Sequence, residues 1–125
     1  MKQLPFPSHR HLRTPREFER VYNLRQRAGD GNVLIFAAAN DLGHTRIGLS
    51  VSKKHGNAVV RHRIRRLLRE AYRLEQHDVP EGLDLILIPR QQSGAGLRDY
   101  QQSIVRLTRR LAKRIHTPRN DAEQQ

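Results

Sequence analysis

A helix set between two strand-like runs constrains the fold of this chain more than any other feature. In Arg46 to Ser52, Ile47, Leu49 and Val51 alternate with Gly48, Ser50 and Ser52, as in a strand with one apolar face. Leu83 to Ile88 reads LDLILI and ends at Pro89, the pattern of a buried strand. Between them, Val60, Ile64, Leu67, Leu68 and Ala71 recur at helical spacing behind Asn57, a good N-cap. A helix that joins two strands makes a crossover, so these strands are expected to be parallel neighbours.

The flanking elements follow from local signals. Thr14-Pro15-Arg16-Glu17 combines a cap, a proline at the first helical position and a glutamate that completes a capping box. Phe18, Val21 and Tyr22 then share one face of a helix reaching about Leu24. Residues 25–31 are expected to be loop. Val33 to Ala39 is strand-like and is followed by Asn40-Asp41-Leu42-Gly43, a hairpin-turn composition. This strand and Arg46–Ser52 are therefore expected to pair antiparallel. Tyr100, Ile104, Leu107, Leu111 and Ile115 place a last helix over about 97–115. The expected architecture is a single α+β domain over residues 1–115, an α/β sandwich with helices covering a small mixed sheet. Residues 1–13 are expected to form an extended arm and 116–125 a disordered tail.

The charge points to the partner. Of 125 residues, 24 are Lys or Arg and 12 are Asp or Glu, a net charge of +12. Such an excess on one small domain calls for a polyanion, nucleic acid first and an anionic membrane surface second. The absence of cysteine excludes disulfides, thiolate metal sites and cysteine catalysis. No apolar run approaches the ~20 residues of a membrane span, and the N-terminus lacks a signal-peptide core. A soluble, cytoplasmic protein is expected.

Enzyme signatures are missing. The seven histidines form no ligand set, and only His9 and His11 lie close together. No HExxH, G-x-S-x-G or phosphate-loop motif occurs. The acids at 75, 78, 81 and 84 cluster in one connection and read as a solvated turn.

The basic segment is more informative. Lys53 to Arg73 holds eight Lys or Arg against the single acid Glu70. Lys53, Lys54, Gly56 and Asn57 precede a helix N-terminus, where backbone N–H groups and the dipole favour phosphate. Arg65, Arg69 and Arg73 are phased opposite the apolar stripe, with His62 and Arg66 beside them, so arginine forks could track a phosphodiester backbone. Phe18, Tyr22 and Phe36 would line one surface if the first helix faces the first strand. Unpaired bases stack on such rings, and ordinary core packing is the alternative.

Residues 47–73, IGLSVSKKHGNAVVRHRIRRLLREAYR, resemble the signature of the bacterial ribonuclease P protein subunit. Phe6, Arg10-His11-Leu12 and Glu17 to Tyr22 resemble its opening, and Leu85 to Arg90 the strand after the signature. The resemblance implies an α-β-β-β-α-β-α sandwich with a left-handed β-α-β crossover, hence one more strand before the central helix than the pattern shows, either a short strand near residues 25–31 or a split of the Val33–Ala39 strand. It implies a noncatalytic protein subunit of a ribonucleoprotein endonuclease that removes the 5′ leader of precursor tRNA. The chemistry would be carried by a catalytic RNA with Mg2+ held mainly by that RNA. Carried over by position, Lys53, Lys54, Asn57, Arg61, Arg63, Arg66 and Arg69 would contact the catalytic RNA, and Phe18, Tyr22 and Phe36 the leader. His62 stands where the family has Asn, and exchanges a compact donor–acceptor for a larger, titratable ring. One monomeric protein per RNA is expected. A structural RNA-binding protein such as a ribosomal component is the alternative, and a membrane-surface helix is disfavoured by the regular strands.

Overall fold

The computed structural model describes residues 10–116. Seven main elements follow one another: α1 (Pro15–Asn23), β1 (Arg27–Gly29), β2 (Val33–Ala39), β3 (Arg46–Leu49), α2 (Ala58–Glu75), β4 (Leu83–Pro89) and α3 (Leu97–His116). This is the α-β-β-β-α-β-α order that the resemblance implies. The extra strand is β1, a three-residue edge segment inside the stretch expected to be loop.

The sheet order is β1-β2-β4-β3. β4 runs parallel to β3, as the crossover through α2 requires, and antiparallel to β2. The expected hairpin between β2 and β3 does not form, because β4 lies between them. The physical reason is burial. β4 is the most completely buried strand, with helices over both faces of the sheet and a hydrogen-bonded partner on each of its edges. Antiparallel β2 likewise takes two partners, with Leu34 opposite Gly29 on one side and Ile88 on the other.

Strand alternation sorts the side chains onto two faces. Val33, Ile35, Ala37, Ile47, Leu83, Leu85 and Leu87 pack with Leu68, Ala71 and Tyr72 of α2 and Tyr100, Ile104, Leu107 and Leu111 of α3. On the other face, Ala38 and Ile86 meet Val21 and Leu12, with Phe18, Tyr22, Phe36 and Ile88 partly buried around them. Among the described residues, only α1 and the end of the arm cover this second face.

Local chemistry fixes α1 where the sequence placed it. The Thr14 side chain accepts from the Glu17 N–H at 3.1 Å, and Glu17 accepts from the Thr14 N–H at 2.9 Å. Hydrogen bonds from the Arg13 N–H and then the Thr14 N–H hold the Glu17 carboxyl below its ordinary range. The described end of the arm is docked: the Leu12 N–H donates to the Ile47 carbonyl at 2.8 Å, beside a parallel bridge between His11 and Ile47. Arg10 reaches Glu81 at 3.1 Å above the buried Tyr72, whose phenol burial pushes up to about 12. Residues 1–9 and 117–125, which include His9 and most of the expected tail, lie outside the described residues; His116 ends α3.

Candidate nucleic-acid interface

The basic surface is built outward from the end of β3. Ser52 caps a single tight turn, Lys53–His55, and accepts from the Lys54 N–H at 3.3 Å. His55 locks this turn to the sheet. Its Nδ1 accepts from the Ser52 N–H at 3.0 Å, so the ring proton resides on Nε2, which donates to the Pro89 carbonyl at 2.7 Å. Gly56 then turns the chain with φ at +132°, and a Cβ there would lie 2.8 Å from Val60. Both conditions require glycine. Asn57 caps α2 as expected, accepting from the Val60 N–H at 2.9 Å.

Four residues of the expected stripe, Ile64, Leu67, Leu68 and Ala71, pack into the core, but the arginine face is phased differently. Arg61, Arg65, Leu68 and Tyr72 follow at i, i+4, i+7 and i+11, one face of a helix, and Leu68 and Tyr72 are fully buried. Arg65 therefore points inward and donates to the Val51 carbonyl at 3.2 Å. The Arg61 Nε is buried with no hydrogen-bond partner among the described residues. Val60, expected in the apolar stripe, is 39% exposed, and its first-turn neighbours Ala58 and Val59 are exposed with it. The outward row is His62, Arg66, Arg69 and Arg73, with Arg63 beside it. His62, Arg63, Arg66 and Arg69 are all exposed, as are Lys53, Lys54 and Asn57. Arg73 is paired with Glu70, and the hydrogen bonds from Arg73 hold that carboxyl below its ordinary range. Arg66 and Arg69 thus present charge outward, while Arg61 and Arg65 line the junction of helix and sheet.

The aromatic surface lies on the second face of the sheet. Tyr22 and Phe36 meet edge to face, with ring centroids 5.0 Å apart at 75°. Phe18 rests against Gly48, where a Cβ would lie only 2.4 Å from its Cζ. All three rings are partly buried and partly open to solvent, so packing and exposure coexist. An ionic network holds α1 in place beneath them. Arg46 grips Asp84 through two bonds of 2.8 and 2.6 Å and reaches Glu17 at 2.8 Å. Arg20 approaches the same Asp84 at 3.4 Å, and Asn40 donates to it at 2.8 Å. Asp84, expected in a solvated acidic turn, is 1% exposed. Glu75 and Glu81 of that stretch are also engaged, by Gln101 and Arg10.

A cationic helix on one face of the sheet and half-open aromatic rings on the other suit a nucleic acid, and comparison with known proteins narrows the choice. The ribonuclease P family model matches residues 6–115. The chain belongs to the ribonuclease P protein family. A "Ribonuclease P protein component" of Pectobacterium atrosepticum is 40% identical over 111 residues, covering 88% of this chain and 93% of that protein. One from Erwinia tasmaniensis is 43% identical over 95 residues, covering 75% and 79%. The RNase P protein of Staphylococcus aureus superposes with a TM-score of 0.71 at 28% identity, over 86% of this chain and 98% of that one. That of Thermotoga maritima shares the fold, with a TM-score of 0.73 at 24% identity over 80% and 96%.

Within this family member the named residues divide into two surfaces, on opposite faces of the sheet. Sequence reasoning missed three of the groups that position them. His55 carried no periodic signal, and Arg46 and Asp84 are far apart in the chain. Among the described residues no cluster of three or more His, Asp or Glu side chains could hold a metal ion, and no helix is long and apolar enough to cross a membrane.

Proposed function

We propose that this chain is the protein subunit of ribonuclease P and assists removal of the 5′ leader from precursor tRNA. The observation that carries the proposal is the outward arginine row of α2 behind a locked turn, lying within the segment matched by the family model. In this reading Lys53, Lys54, Asn57, Arg63, Arg66 and Arg69 contact phosphates of the catalytic RNA, and His62 fills the place of the usual Asn. Arg73 joins them once phosphate competes with Glu70. Arg61 and Arg65 lie nearer the sheet and brace that surface. Phe18, Tyr22 and Phe36 take the leader, whose unpaired bases stack on the exposed parts of the rings.

The catalytic RNA carries the chemistry in this proposal and holds the Mg2+, since the described residues offer no ligand cluster. The protein contributes binding and charge. Its cations screen phosphate repulsion between substrate and RNA, which lowers the magnesium that the RNA needs. Cleavage of precursor tRNA, with the protein and the RNA assayed separately and together, tests this. The protein alone should be inactive, and the pair should work at lower Mg2+ than the RNA alone. Robust cleavage by the protein alone would refute RNA-borne catalysis. Competition separates the proposal from a structural RNA-binding role: precursor tRNA should displace bound leader better than mature tRNA does.

A further inference from the structure

A second basic row runs along α3, on the side away from α2. Arg106, Arg110 and Arg114 follow at i, i+4 and i+8, so they share one line of the helix. Their contacts fix where that line lies. Arg106 pairs with Asp30 in the loop after β1. Arg114 donates to the Arg27 carbonyl of β1 at 2.9 Å. The side of α3 facing α2 is marked by Gln101, which donates to Glu75 at 2.8 Å. The row therefore follows the β1 edge of the sheet, whereas the arginines of α2 lie toward the β3 side. Arg110, between the two anchored arginines, is exposed and has no hydrogen bond or ion pair within the described protein. Like charges at this spacing destabilise an isolated helix, and Arg110 makes no contact among the described residues that offsets this.

This row is continuous with the aromatic surface. Arg27 is the direct cross-strand partner of Phe36, and its guanidinium lies 6.0 Å from the centre of the Phe36 ring. One strand width, about 4.8 Å, separates the stacked rings from the edge that Arg114 grips. We propose that the β1 edge and the Arg106–Arg110–Arg114 row bind the upstream nucleotides of the same single strand whose downstream bases stack on Phe18, Tyr22 and Phe36. The proposal rests on the leader-binding reading above and adds a direction to it. The scissile end must stay with the catalytic RNA, which α2 holds on the β3 side. The 5′ end therefore leaves across β2 and β1, and Arg27 passes it to α3. Aromatic stacking followed by a cationic track is the general solution for single strands.

Precursor tRNAs with leaders of about 4 and about 16 nucleotides, the range of single-strand site sizes, test this with the assembled holoenzyme. Loss of one phosphate contact to a single strand costs roughly fourfold in affinity at about 0.15 M salt, and loss of two about fifteenfold. The double variant Arg110→Gln/Arg114→Gln should lower affinity for the long leader about fifteenfold relative to the short one. The slope of log affinity against log salt for the long leader should shrink by about 1.4. Equal loss for both leaders would overturn the proposal, because the row would then serve the catalytic RNA. Absence of loss with the long leader would overturn it too, as a merely solvated row. Arg110→Gln alone gives the same test at about fourfold should the double variant fail to fold. Phe36→Leu is the control for the underlying reading and should weaken both leaders. If both are unchanged, leader binding at the rings fails, and its continuation with it.

Discussion

Replacing Gly48 by alanine inserts a methyl group between β3 and α1. The new Cβ would sit 2.4 Å from Cζ and 2.8 Å from Cε2 of Phe18, and 3.1 Å from the Leu12 Cβ. Carbon atoms settle at about 3.5–4.0 Å, so the ring must withdraw by roughly 1.1–1.6 Å. It has little room, because Val21, Ala38 and Ile86 of the same cluster are already buried. Relief requires α1 to lift, against the Arg46–Glu17 and Arg20–Asp84 contacts. Overpacking of this kind costs about 1–3 kcal/mol, and a value near 2 kcal/mol is expected for so confined a ring. With m of about 2 kcal/mol/M, the urea midpoint should fall by about 1 M. Adding Phe18→Leu removes the clashing ring atoms, so the double variant should be more stable than additivity predicts. Precursor tRNA affinity should fall in Gly48→Ala, while affinity for the catalytic RNA alone, carried by α2 on the opposite face, holds. A midpoint equal to the parent's, or strict additivity with Phe18→Leu, would refute the close approach as the reason for glycine.

Three further outcomes follow from named contacts. Asp84→Asn leaves the half-buried Arg46 with Glu17 as its remaining carboxylate and should cost about 1.5–3 kcal/mol, the worth of hydrogen bonds to a charged group; an unchanged thermal midpoint would rule out the network as the anchor of α1. His55→Ala removes both bonds of the locked turn, each of about 0.5–1.5 kcal/mol, and should weaken binding of the catalytic RNA as well as lower stability; equilibrium binding that matches the parent would show that the turn needs no such lock. The Glu17 carboxyl lies below its ordinary value of 4.5 in the folded chain, so the unfolded chain binds the extra proton. Its contribution is fully present above that ordinary value and is lost as pH falls through the folded one. Stability measured from about pH 6 down to about pH 2 should therefore decline less steeply in Glu17→Gln than in the parent.

Local order was legible because it depends on nearest neighbours. The Thr14–Glu17 box, the Asn57 cap, the apolar face of α3 and the alternation in β2 all rest on residues a few positions apart. β1 escaped notice because three residues, only one of them buried, leave no period. Helix phase was harder. Val60 and Arg65 are one position or one turn from residues that do face the core, and the apolar stripe alone did not reveal that the first turn of α2 is left exposed. A helix face can be read from spacing only if its whole length is covered, and the first turn of α2 is not.

By itself the sequence determined the types of every main element except β1, the crossover through α2, the concentration of cations in Lys53–Arg73 and the family. Tertiary structure decided which strand is central: β4 pairs with β2 on one edge and β3 on the other and is buried along almost its whole length. It decided which arginines turn outward, and it brought Asp84 beneath Arg46 and Arg20 instead of leaving it in water. It also set Arg27 against Phe36 and joined the rings to the basic edge of α3. These pairings join residues far apart in the chain, and only packing around a shared core brings such residues into contact.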